Sequence, residues 1–366
     1  MAKGDEALVM EVAHHLAMNV SRKDISWKKE LAGPNREKVI EAFENELGSL
    51  TKTVLEEVTP GDKDFEEVKR LATSGRFVLD MKRDGTAKCR GCKRGYEENL
   101  AEADGPEFNY YAHVAELKAV RAAVLRPNRR ERLLAIKDVR TAFLQSLPYP
   151  DGKVKHVKFY DPVTKKWRYF VQSGPIYGEN SAPAHWGEGT LAPYLIDEQG
   201  CNFKRGDNHK SVYYNKQKDL LMLTYVDDLM LDGHKSPVIW CDKKIDSRFD
   251  CKPLEILVAG SSIDFIGMEV IMTIDRIYIS MEAYIEKMVR ELTEMGLVLC
   301  KREVSMPLTG PINVDGDSPS LSPKDTRLLL TGNGCCAWLS QTVRVDGSHS
   351  FSRVGQHASN PTVDAL

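Results

Sequence analysis

The sequence predicts an α+β fold, because helical segments are mixed with hairpins instead of alternating strand by strand with them. Two observations carry this. An amphipathic segment sits near the start, and several short apolar runs are punctuated by turn residues. In residues 33–58, "GPNREKVIEAFENELGSLTKTVLEEV", Ile40, Phe43, Leu47, Leu50 and Val54 recur at helical spacing. Further on, "GRFVLDMKRDGTAKCRGCKRGY" has the pattern of a hairpin turning at Asp84-Gly85.

The remaining elements follow in chain order. "FNYYAHVAELKAVRAAVLRP" reads as a second helix stopped by Pro127. "LLAIKDVRTAF" is a strand running into a turn or short helix, and "WRYFVQSGPIYG" is another strand. "APAHWGEGTLAPYLIDEQG" is helical, with Pro193 as an interruption. "SVYYNKQKDLLMLTYVDDLML" reads as a hairpin turning near Asn215–Lys218, and "DFIGMEV" and "RIYISM" as short strands. In "EAYIEKMVRELTEMG", Tyr284, Ile285, Met288, Leu292 and Met295 share a helix face that Gly296 closes. "LTGPINVDGDSPSLSPKD" is expected to be a linker, and residues 1–26 a weakly patterned leader.

Composition is that of an ordinary globular chain: 366 residues, 42% hydrophobic, 28% charged, formal charge −2. Charge distribution says more than the sum. Residues 82–94 carry Lys82, Arg83, Lys88, Arg90, Lys93 and Arg94, and residues 126–140 form a second basic cluster. No signal peptide is expected, since Asp5, Glu6 and Glu11 interrupt the N-terminal stretch. Glu255, Asp264 and Glu269 exclude a membrane span at 253–274. Eight scattered cysteines fit a reducing compartment. Cys89-x-x-Cys92 is either half a zinc site or two small residues in a basic segment.

The stretch "LTYVDDLML" poses the chemical question. A buried strand pair rejects two consecutive carboxylates, yet Asp227 and Asp228 stand between apolar runs. A divalent cation would resolve it, since magnesium takes hard oxygen ligands, usually one or two carboxylates with substrate phosphates. Asp138, which also ends an apolar strand, is the candidate third carboxylate for a site of two ions that serves phosphoryl transfer. The bland alternatives are a solvated Asp-Asp turn and, for Asp138, a helix N-cap.

On these residues the chain resembles the reverse transcriptase of copia-type LTR retrotransposons. "TYVDDLMLDG" is similar to the family's YVDD motif, and "KDVRTAFL" to DVKTAFL, which carries the first catalytic Asp. "KCRGCKRGY" resembles KARLVAKGF, keeping Lys88, Arg90, Arg94 and Gly95. "IYGENSAPAHW" resembles LYGLKQAPRAW, keeping Tyr177, Gly178, Ala182, Pro183 and Trp186. "FIGMEV" resembles FLGIEI, and "YIEKMVRELTEMGLVLCK" the helix that follows it. "WLSQTVRVD" and "FSRVGQHASNPT" resemble the segment leading to RNase H, and "WKKELAGPNREKVIEAFENELGSL" the family's opening. The motifs run in the family's order from about residue 27 to 362.

The resemblance implies a right-hand polymerase: fingers and palm interleaved over 27–278, a thumb-like helical segment at 279–308, and a linker and connection at 309–366. It implies Asp138, Asp227 and Asp228 as catalytic metal ligands for two Mg²⁺ ions, or Mn²⁺. It implies nucleotide binding by Arg90, Lys82, Arg83, Val139, Phe143, Tyr177 and Gly178, with Phe143 excluding a 2′-OH. Gly267 and Met268 would form the primer grip. The partners implied are an RNA or DNA template with its primer, dNTPs, and the RNase H and integrase segments of a parent Pol polyprotein, with no membrane. The expected location is cytoplasmic, in particles, or nuclear. Departures fall at Asn180-Ser181, Ala184 and Gly91-Cys92. They keep a second reading open, a degenerate nucleic-acid-binding remnant without catalysis.

Overall fold

The computed structural model describes residues 25–81, 85–99, 103–105, 107–126, 131–298 and 318–363. The chain divides into two compact units, one spanning residues 23–256 and one containing residues 257–366. The strands that follow Ile256 form a three-stranded sheet of their own in the second unit.

In the first unit the amphipathic helix forms over Arg36–Thr53 and buries Val39, Phe43, Leu47 and Leu50. It stops short of the expected end: Leu55–Val58 is strand β1, paired with Val58↔Tyr169 through Leu55↔Gln172. The hairpin at 75–96 is borne out as β2 (Thr73–Met81) and β3 (Ala87–Lys93), in register Gly75↔Lys93 to Met81↔Ala87. Its turn residues 82–84, including Lys82 and Arg83, lie outside the described residues.

The second helix is shorter than expected, Leu117–Val124. Residues 107–116 are pinned by tertiary contacts that outweigh helical periodicity: the Ala115 N–H donates to the Thr224 carbonyl, and the Tyr110 hydroxyl donates to Asp104. β4 is Leu133–Asp138, running into a 3₁₀ turn at Ala142–Gln145. β5 (Lys155–Tyr160) was not foreseen; it pairs with β6 (Trp167–Gln172), giving a five-stranded sheet in the order β1-β6-β5-β2-β3. Its core is Phe43, Leu47, Leu50, Phe77, Val157, Phe159 and Phe170.

Residues 182–196 are helical as expected, and the interruption takes the form of a π turn at Gly187–Leu191 just before Pro193. Proline has no N–H to give, and a wider turn absorbs its ring. The second sheet adds β7 (Lys204–Arg205), β8 (Val212–Asn215), β9 (Leu220–Tyr225), β10 (Asp228–Gly233) and β11 (Glu255–Ile256), in the order β11-β4-β10-β9-β8-β7. One face of this sheet presents Ala135, Leu220, Met222, Leu229 and Leu231 to the helices at 182–196 and Lys235–Asp246. Alternation puts Ile136, Asp138, Tyr225, Asp228 and Met230 on the other face.

Two cations of the second basic cluster are turned inward, while Arg140 stays exposed. Arg132 and Lys137 are buried, Arg132 against Asp219 and Asp232, and Lys137 Nζ at 2.6 and 2.7 Å from Asp242 and Asp246. Arg126 joins the first pair, 3.0 Å from Asp232.

In the second unit "DFIGMEV" is not one strand but the turn of a hairpin, β12 (Ser261–Phe265) and β13 (Met268–Met272), with β14 (Ile277–Ser280) beside it. The helix Glu282–Met295 ends on Gly296 at φ 112°, as its sequence dictates. Part of the expected linker, 308–317, lies outside the described residues. The rest enters a helix at Pro323–Thr342, capped by Ser322 Oγ accepting from the Asp325 N–H at 3.2 Å. Among the described residues no helix is long and apolar enough to cross a membrane.

Candidate active site

Asp138 is the last residue of β4, and its register partner on β10 is Asp228, which pairs in turn with Tyr225 on β9. Direct cross-strand partners share a face, so the two carboxylates stand side by side at one end of the sheet. Asp227 lies beside them in the two-residue turn Val226-Asp227. Val226 holds φ at 54°, the sign pattern of a tight hairpin turn in which glycine is the usual occupant.

Two hydrogen bonds fix this turn. The Trp186 indole donates to the Val226 carbonyl at 2.6 Å, and the Val139 N–H donates to the Asp227 carbonyl at 2.9 Å. Val139 therefore does not fit its expected part in nucleotide binding: its side chain is buried in the core and its N–H is already committed.

Charge is concentrated at this tip. Asp227 is exposed in the turn, and Asp228 beside it is half-buried. Burial, then repulsion from Asp138, raises the Asp227 pKa, against the pull of Lys252 and Lys88. Asp228 is pushed up to about 7, by burial first and then by Asp227 and Asp138. Tyr225, beneath both, is raised to about 12 by burial and by the same two carboxylates.

This donor set fits a hard divalent cation. The oxygens are carboxylates on adjoining strands and their turn, the hard ligands that magnesium takes. The carboxylates are not drawn together: among the described residues no three His, Cys, Asp or Glu side chains stand at ligand spacing. One Asp138 oxygen is taken by Lys252 Nζ at 2.6 Å.

The other predicted residues are divided between the two units. Phe143 and Tyr177 touch, ring centroids 5.4 Å apart, and form one aromatic wall. The Tyr177 carbonyl accepts from the Lys93 N–H at 2.7 Å, which seats it beside β3, and burial, then Glu46 and Asp227, raise its hydroxyl pKa. Gly178 has φ 82°, and a Cβ there would lie 2.2 Å from the Lys93 carbonyl, so only glycine fits. Arg90 is half-buried on β3 near Glu46, whose carboxylate accepts from the Gly91 N–H at 2.8 Å. Gly267 is the exposed second residue of the β12–β13 turn, whereas Met268 is buried in its own unit and offers no side chain to a primer.

Cys89 and Cys92 lie three apart on β3 and so face opposite sides, which removes the zinc reading.

Sequence reasoning missed Lys252 as a site residue. Lys88, among the basic residues singled out at 82–94, shares a face of β3 with Arg90 by alternation. Lys252 had no local signal; only the pairing of Val139 with Cys251 and of β11 with β4 brings it to Asp138.

A family model described as reverse transcriptase (RNA-dependent DNA polymerase) matches residues 67–303. Among curated proteins, the Gag-Pol polyprotein of transposon Ty1-DR4 from Saccharomyces cerevisiae is 26% identical over 263 residues, covering 67% of this chain and 15% of that protein. The truncated transposon Ty1-A Gag-Pol polyprotein from the same organism is 26% identical over 264 residues, covering 67% of this chain and 20% of that protein. The chain thus spans only a small part of the length of these relatives. Among solved structures, telomerase from Candida albicans in complex with a TWJ fragment of telomeric RNA aligns with a TM-score of 0.40 at 11% identity, over 71% of this chain and 55% of that one. With more than half its length matched, and with the copia-type motifs in order along it, the chain belongs to the reverse transcriptase (RNA-dependent DNA polymerase) family.

Proposed function

We propose that this chain is an RNA-directed DNA polymerase domain that adds dNTPs to a primer 3′-OH by two-metal nucleotidyl transfer. The observation that carries the reading is the pairing of Asp138 with Asp228 beside Asp227, at the end of an apolar sheet in a chain of this family.

Asp138, Asp227 and Asp228 would hold Mg²⁺, with Mn²⁺ as a substitute. Such ions, when bound, offset phosphate charge and lower the pKa of a hydroxyl. The chain's own residues do the rest. The turn held by Trp186 and Val139 keeps the acids in place without reorganisation. Lys88 and Arg90 on β3 supply cations for the triphosphate. The wall of Phe143 and Tyr177 would support the sugar and the templating base pair, and the Phe143 ring would exclude a 2′-OH. Gly178 leaves the strand close to Lys93 with no side chain in the way. Template and primer would be gripped through their phosphates, so binding weakens with salt. The cytoplasmic particle and the companion RNase H and integrase segments belong to the same proposal, since the relatives are Gag-Pol polyproteins.

The test is extension of a DNA primer on an RNA template with Mg²⁺ or Mn²⁺, wild type beside Asp227→Asn/Asp228→Asn. The expected result is extension by the wild type alone. Equal binding of primer–template by both, with extension by neither, would replace this reading with a non-catalytic binding module.

A further inference from the structure

The acidic tip already holds a cation of its own. Lys252 Nζ lies 2.6 Å from Asp138 Oδ2, and the Lys252 N–H donates to the Asp138 carbonyl at 2.9 Å. Its neighbours fix the segment as well. Cys251 bridges to Val139, and the Arg140 N–H donates to the Asp250 carbonyl at 2.9 Å. The ammonium is therefore tethered to the residue it neutralises, and its local concentration there is high. Its charge also favours the ionised forms of Asp227 and Asp228, more than that of any other side-chain cation. Lys137, the residue before Asp138, cannot take this part, because alternation turns it to the opposite face against Asp242 and Asp246. The Lys252 side chain is 51% exposed, so it can swing into solvent at little cost.

We propose that Lys252 is a positioning residue that stands in for the divalent cation at Asp138: its ammonium holds the acidic hairpin together until a metal ion takes Oδ2 and displaces it. The inference rests on the active-site reading above and adds a step to it, an exchange of one tethered monovalent charge for a divalent ion. Binding therefore carries a built-in competitor. A monovalent ion gains nothing from the exchange, whereas a divalent ion adds charge to a cluster that one ammonium only partly neutralises.

The experiment uses the full chain and Mn²⁺ alone, with free Mn²⁺ followed by its electron paramagnetic resonance signal near neutral pH. An ion pair this exposed is weak, so Lys252→Met is expected to tighten Mn²⁺ binding by about three- to tenfold. Lys252→Arg, which keeps the charge, is expected to stay near wild type, and Asp138→Asn to lose the site. Equal or weaker binding by Lys252→Met, with the site still lost in Asp138→Asn, overturns the proposal and leaves the active-site reading standing. No Asp138-dependent binding in either the wild type or Lys252→Met overturns both. A second measurement needs no variant at position 252. Acylation of Lys252 by an amine-reactive ester, mapped by peptide mass, is expected to speed up in the wild type when Mn²⁺ is added. An unchanged rate, under conditions where Mn²⁺ binds at Asp138, overturns the exchange.

Discussion

The Trp186 indole nitrogen donates to the carbonyl of Val226 at 2.6 Å, and so joins the helical layer on one face of the sheet to the turn that carries the acids. Val226 is β-branched and sits at φ 54°, a conformation that costs on the order of 1–2 kcal/mol and persists only where the surroundings over-determine it. Trp186 is 1% exposed, so this bond has no water to compete with it on the indole side.

Trp186→Phe keeps an aromatic ring in the core and removes only the donor. It is expected to cost about 1 kcal/mol of stability. The rate of single-nucleotide addition is expected to fall further, by roughly 10- to 100-fold, because the acids are then held less firmly. Rapid-quench kinetics beside urea unfolding separates the two effects; a rate loss no larger than the stability loss would remove Trp186 from the positioning role.

Asp228 sets a pH dependence of stability. Its pKa in the fold is about 7, against an ordinary 3.8, with burial as the main cause. The folded state thus binds more protons than the unfolded chain between these values, and stability falls as pH rises through that window. The full shift corresponds to about 4 kcal/mol, which partial solvent screening brings down to on the order of 2 kcal/mol. Asp228→Asn removes this contribution. In chelator, the variant is expected to match the wild type near pH 4 and to melt a few degrees higher near pH 8. Melting curves that run parallel across the range would contradict the burial of this carboxylate.

The apolar runs and the acid pair between them were legible because both signals are local in the sequence. The helix at Glu282–Met295 was legible for the same reason, down to Gly296. Residues 107–116 were not, since a hydrogen bond from Ala115 to Thr224 overrides their helical spacing. The helix at Pro323–Thr342 was hidden by Gly332, Asn333 and Gly334, whose poor propensity is outweighed by burial of Leu328, Leu329, Cys335 and Leu339. Lys252 reaches Asp138 across 114 residues of sequence, and no pattern in the chain records that distance.

The departure at Gly91 is compensated in the core. A Cβ there would lie 2.6 Å from Leu50 Cδ1 and 3.2 Å from Phe77, so Leu50 of the helix Arg36–Thr53 fills the space that a larger strand residue would need. Gly91→Leu, which restores the motif's leucine, is expected to overpack the site and cost about 1–3 kcal/mol. Gly91→Leu/Leu50→Ala is expected to be less destabilised than the sum of the single variants by on the order of 1–2 kcal/mol. Urea unfolding of the full cycle reads the coupling, and strict additivity would mean that the two side chains do not share the space.

Position 179 carries a second compensated departure, which sequence reading passed over. Where the motif LYGLKQAPRAW has leucine, Glu179 is buried, and where KARLVAKGF has alanine, Lys93 is buried. One network joins them. Lys155 Nζ donates to Glu179 at 2.6 Å and to Asp104 at 2.6 Å, Tyr149 and Gln172 also donate to Glu179, and Lys93 Nζ donates to Gln172 at 3.1 Å. It ties β3, β5 and β6 to the segment that carries Tyr177 and Gly178. Burial alone would raise the Glu179 pKa, but Lys155 and then Lys93 hold it below the ordinary value. Its ionised form therefore contributes stability at neutral pH, and that contribution is lost as pH falls through the folded pKa. Lys155→Met removes the larger of the two cations and leaves buried carboxylates short of a partner, at an expected cost of about 3–5 kcal/mol near pH 7. With desolvation then dominant at Glu179, the sign reverses, and the variant is expected to regain stability relative to wild type as the pH is lowered toward about 5. Chemical unfolding at the two pH values checks both parts. A cost below about 1 kcal/mol, or one that does not shrink in acid, would show that Lys155 does not neutralise this network.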